Sequence, residues 1–92
     1  MVGRIETYIH SDNITPNKGG VLIYVKCDTD FAARTPEFIE FSEMAAKRVY
    51  GADALSWEDT IAVFPDMEER RIELQKKIRE TVAVEAIQIL KL

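Results

Sequence analysis

From residue 3 the chain alternates. Ile5, Thr7 and Ile9 fall on one side and Arg4, Glu6, Tyr8 and His10 on the other. A period of two predicts a strand over 3–10 with one face buried, here the side carrying the two isoleucines. Ser11 to Lys18 is rich in Asp, Asn, Pro and Lys and leads into Gly19-Gly20, which reads as a hairpin-type loop. Val21, Ile23, Val25 and Cys27 then share one face of a second strand, with Leu22, Tyr24, Lys26 and Asp28 on the other. Two strands this close in sequence are expected to pair antiparallel.

After a connection that runs through Thr29-Asp30-Phe31-Ala32-Ala33-Arg34 the period changes. Thr35 is a helix N-cap and Pro36 a first helical residue, with Glu37 and Glu40 at the positive end of the dipole. Phe38, Phe41, Ala45 and Val49 form the apolar stripe, and Gly51 is the expected stop. Ser56-Trp57-Glu58-Asp59 is a weak variant of the capping box and predicts a short helical turn to Ile61 or Ala62. Pro65-Asp66 restarts the chain, and Met67, Arg71, Leu74, Ile78 and Val82 lie near one stripe of a long helix. Its other face, Glu68 to Lys77, has acids leading and bases following, the pattern of a solvated face. Val82 to Leu92 is rich in β-branched and apolar residues and is expected to supply a third strand.

The predicted fold class is α+β: a small three-stranded antiparallel sheet with two longer helices on one face. The free face would carry Leu22, Tyr24, Tyr8 and part of the last strand. A half-apolar face and two sheet edges call for a cover, and self-association as a homodimer is the expected one.

Composition adds bounds. Ninety-two residues make one domain, residues 1–92, with room for one modest core. The apolar share of 47% and charged share of 30% are those of a soluble globular protein. No apolar run approaches the roughly 18 residues of a membrane span, so no membrane partner is expected. With no apolar stretch after the first basic residue and one cysteine, Cys27, a reducing, cytoplasmic setting is expected. A net charge of −4 without a basic stripe argues against nucleic-acid binding.

Candidate chemistry is sparse. A Cys27/His10 nucleophile pair lacks a Gly-rich oxyanion segment, and Cys27 reads as a buried structural residue, His10 as a polar residue at a strand end. Asp28 and Asp30 are spaced like calcium-loop ligands, but Phe31 and Ala32 follow where oxygen donors and a glycine belong, so no metal or other cofactor is expected. Phe31 poses the sharper question. It is a large ring in a connection, where side chains tend to be exposed, though a ring just before a helix can also fold back as a staple.

The same residues resemble a known family. "GRIETYIH", then Gly20 and "VLIYVKCDTDFAARTPEF", is similar to the core of translation elongation factor Ts, where a strand is followed by a Gly-led strand and an Asn-Cys-Glu-Thr-Asp-Phe-Val-Ala-Arg/Lys segment. The likeness covers residues 3–50, with Cys27, Thr29-Asp30-Phe31, Ala33-Arg34 and Glu37-Phe38 in register. "LQKKIRETVAVEAIQIL" is similar to the family's Lys-Ile-Gly-Glu-Asn-Ile-x-x-Arg-Arg passage at Lys77, Ile78, Glu80 and Val82. Arg79 stands in place of the glycine, Thr81 in place of the asparagine, and the Arg-Arg pair is missing.

The resemblance implies a partner, the GTPase elongation factor Tu, and an activity, hastened GDP release without chemical catalysis. It assigns the contact to Thr29, Asp30, Phe31 and Arg34, with the Asp30-Phe31 pair reaching the GTPase domain near its magnesium and nucleotide. The family's N-terminal three-helix module and second half-core are not in this sequence, which implies that a second copy replaces the missing half. The alternatives are an elongation factor Tu binder without exchange activity and a structural or oligomerisation domain that kept the fold. A cysteine-dependent enzyme is the third and weakest reading.

Overall fold

The computed structural model describes residues 2–92. Its elements follow in the order β1 (Gly3–His10), β2 (Gly19–Lys26), α1 (Asp30–Ala33), α2 (Pro36–Ala52), α3 (Trp57–Val63), α4 (Asp66–Ile78) and β3 (Ala83–Lys91). The sheet is antiparallel with β2 in the centre. The expected α+β class, three strands and two longer helices on one face, is what the chain forms.

Sequence period places the core. Val21, Ile23 and Val25 point from β2 to the helical side, where Phe38, Phe41, Ala45, Ala46 and Val49 of α2 meet them. Met67 and Leu74 bring α4 into the same cluster, and Val84, Ile87 and Ile89 extend it along β3. Each large side chain so enclosed contributes about 1.5–3 kcal/mol. Thr35 caps α2 through its side chain, which accepts the Phe38 N–H, and Pro36 takes the first turn. Ser56 caps α3 in the same way through the Asp59 N–H at 3.1 Å.

Three local expectations are corrected. In β1 the buried side is the other one: Tyr8 opposite Val21, Glu6 opposite Ile23 and Arg4 opposite Val25 face the helices, while Ile5 and Ile9 are 57% and 58% exposed on the free face. Alternation defines two faces, but pairing decides which one is covered. The charged residues tolerate the helical side because β1 is an edge strand and Arg4 pairs with Glu6 at 2.9 Å. Tyr8 accordingly leaves the free face for the core.

The second correction is at the end of α2. Gly51 stays helical, packed near Phe64, and the left-handed cap is Asp53 at φ 52°. Aspartate tolerates that region better than most residues do, and Lys91 lies 3.3 Å from its carboxylate. The third concerns residues 30–33, which form one helical turn and not a bare connection.

Gly3 is the one glycine the backbone demands. Its φ is +141°, and a Cβ there would lie 2.1 Å from the Val25 carbonyl oxygen. This close approach lets Tyr24 lie across the start of β1, its hydroxyl donating to the Val2 carbonyl at 2.7 Å.

Candidate functional site

Thr29 is the residue on which the candidate segment turns. Its backbone is extended, and its hydroxyl oxygen accepts the Ala32 N–H at 3.2 Å, which caps α1. Its carbonyl accepts from the Ala33 N–H and from the Cys27 thiol. The next helix starts at once: the Thr35 hydroxyl donates to the Ala32 carbonyl at 2.8 Å. Two caps six residues apart thus fix a single turn between β2 and α2.

On that turn Ala32 and Ala33 point inward and are buried, which leaves Asp30 and Phe31 pointing out. Phe31 is 82% exposed, so the ring does not fold back as a staple. Arg34 follows, also exposed. Among the described residues neither Asp30 nor Arg34 enters an ion pair. The fold therefore gathers Asp30, Phe31 and Arg34 on one exposed turn, and Thr29, itself exposed, caps its start.

The sequence did not reveal what holds Thr29 itself. The Glu80 carboxylate, between α4 and β3, accepts the Asp28 N–H at 2.9 Å, the Thr29 N–H at 3.0 Å and the Thr29 hydroxyl at 2.5 Å. In return the Asp28 carboxylate accepts the Thr81 N–H at 3.0 Å. Asp28 is thereby turned toward the backbone of the later segment. Glu80 fell in register with the resembling family, but nothing in its local sequence linked it to residue 29.

The remaining candidates separate. Cys27 is 2% exposed, and burial pushes its thiol pKa up, so the reactive thiolate is disfavoured. His10 is paired with Gly19 at the far end of β1, whereas the Cys27 N–H donates to the Val2 carbonyl at the near end. Eight residues of strand keep them more than about 20 Å apart, too far for a nucleophile–base pair. His10 instead stacks on Tyr50, ring centroids 4.7 Å apart, with its Nδ1 at 2.8 Å from the Tyr8 hydroxyl. Trp57 packs edge-on to Phe41 and donates to Glu68 at 3.1 Å.

No protein-family model matches the chain. Individual proteins do. Elongation factor Ts of Rubrobacter xylanophilus is 38% identical over 84 residues, which is 90% of this chain and 38% of that protein. Elongation factor Ts of Methylacidiphilum infernorum is 40% identical over 72 residues, 76% of this chain and 34% of its own length. The chloroplastic elongation factor Ts of Rhodomonas salina is 37% identical over 76 residues, 80% of this chain and 33% of its own. The chain thus spans little more than a third of the length of these relatives.

The small antiparallel sheet backed by helices goes with a match to proteins named elongation factor Ts over three quarters or more of this chain. Over that length the chain resembles a part of elongation factor Ts.

Proposed function

We propose that this chain binds a GTPase of the elongation factor Tu type and hastens its release of GDP. The carrying observation is Phe31, a phenylalanine 82% exposed on a doubly capped turn that offers it no packing of its own. Asp30 and Arg34 flank it and give the contact its polar rim.

The activity is linkage. A protein that binds the nucleotide-free GTPase more tightly than the GDP-bound form weakens GDP binding by the same factor. A rigidly held ring that displaces packing near the nucleotide supplies that difference. No bond is made or broken, so the protein is an exchange factor and not a chemical enzyme. The expected setting is the cytoplasm.

The test is release of a fluorescent GDP analogue from bacterial elongation factor Tu in magnesium buffer. Release is expected to accelerate with added chain. An unchanged rate together with no pull-down of the GTPase would refute the reading.

The free sheet face supports a further part of the proposal, and on its own a second reading as an assembly domain. Ile5 and Ile9 join Leu22 and Leu90 there, all exposed, around Thr7 and Gln88. A contiguous apolar patch of this kind marks an interaction surface. A second copy laying the same face against it would form a two-sheet sandwich with a continuous core. Sedimentation equilibrium at micromolar concentration is expected to give twice the chain mass, and Leu22→Glu, at the middle of the face, to give one. A parent chain that sediments as a monomer would overturn the pairing.

A further inference from the structure

The turn that carries Phe31 is held from a segment about fifty residues away, and the contacts are unusually complete. Glu80 uses both carboxylate oxygens on residues 28 and 29, and Asp28 answers with a bond to Thr81. Every polar atom of Thr29 is engaged: its N–H and hydroxyl donate to Glu80, its hydroxyl oxygen accepts from Ala32, and its carbonyl accepts from Ala33 and Cys27. A charged acceptor that takes three donors makes charge-assisted bonds, the stronger kind.

The base of this brace is itself fixed. Arg71 donates to the Val82 carbonyl at 2.8 Å, and the Gln75 side-chain oxygen accepts the Val82 N–H at 2.9 Å. Val82 is fully buried. Glu68 grips the same guanidinium at 2.6 and 2.9 Å, and this bond holds the Glu68 carboxyl below the usual carboxylate range. Arg79, just before Glu80, caps α4 in the left-handed region at φ 59°, ψ 39°. That conformation is one a non-glycine residue seldom adopts, and it turns the chain so that Glu80 faces residues 28 and 29.

We infer that Glu80 is a positioning residue for Phe31: its carboxylate braces Thr29, Thr29 caps the turn, and the turn presents the ring. The inference rests on the proposed function only for its biochemical readout. Preorganisation of this kind removes an ordering cost that binding would otherwise bear. Loss of the brace therefore weakens the encounter with the partner more than it lowers the rate within the complex.

Two measurements on the full chain test it. The first needs no partner. In Glu80→Ala, amide hydrogen exchange at Asp28, Thr29 and Ala32 is expected to accelerate roughly tenfold or more, with the amides of β2 and α2 unchanged. Glu80→Gln keeps an acceptor at the same reach and is expected to restore most of the protection, whereas Glu80→Asp, one methylene shorter, is not. Unchanged exchange at all three amides in Glu80→Ala would overturn the brace.

The second is the GDP-release assay as a double-mutant cycle. Glu80→Ala is expected to raise the half-maximal concentration about tenfold with the maximal rate near that of the parent, and to add nothing in a Phe31→Ala background. An additive effect would mean that Glu80 acts independently of Phe31 and would end the proposal. A parent chain that fails to accelerate release sinks the exchange reading alone, because the exchange-protection result still decides the brace.

Discussion

Phe31→Ala is expected to remove most of the stimulated GDP release and to leave the fold intact. The two halves of that statement have different origins. An aromatic anchor that enters a partner's pocket commonly contributes 2 kcal/mol or more, which corresponds to about 30-fold in affinity. The same ring contributes little to folding, because 82% of it is already in water. Substitutions at such positions change stability by only about 0.5 kcal/mol. The check is GDP release measured against chain concentration, beside a thermal melt of each protein. A variant that releases GDP as fast as the parent would show that the contact lies elsewhere, on Asp30, Arg34 or another surface.

Phe38→Ala is expected to do the reverse, and on a larger scale. Phe38 sits seven residues on, in the first turn of α2, and has no exposed surface at all. It belongs to the one cluster that joins β2 to both longer helices. Truncation of a buried phenylalanine costs about 3–5 kcal/mol, the lost transfer energy plus the cavity left behind. A chain of this length has about 5–14 kcal/mol in all, so the variant is expected to melt at least about 12 °C lower or to be unfolded at 37 °C. Urea unfolding followed by circular dichroism measures it. A loss below about 1 kcal/mol would contradict the packing described for α2.

Sequence alone reached the elements whose causes are local. Thr35-Pro36 announces α2 because cap and first turn lie within four residues, and the stripe from Phe38 to Val49 gives its buried face directly. The class followed from the switch between periods of two and of 3.6. What stayed out of reach depended on pairing. The orientation of β1 is not legible in its residues, because Ile5 and Ile9 look like core and only the register with Val21 and Val25 shows that Tyr8, Glu6 and Arg4 face the helices. Gly51 looked like the end of α2, but Asp53 could take the left-handed position two residues later. The exposed turn was visible as a question, and resemblance to a family supplied its proposed use. Its brace was not visible, since Asp28 and Thr29 meet Glu80 and Thr81 only after the chain has folded.

That brace also sets an order in time. A ribosome delivers residues 28–34 early, with the whole exposed turn already synthesised, but the residues that hold it arrive some fifty positions later. Closing so distant a contact follows the formation of nearer ones. The segment proposed to meet a partner is therefore among the last to take its final shape, and β3, which completes the sheet, begins three residues after Glu80 at Ala83. A growing or truncated chain that ends before residue 80 carries the aromatic residue without its support. In the proposed function, readiness to engage another protein is thus tied to completion of the chain's own fold.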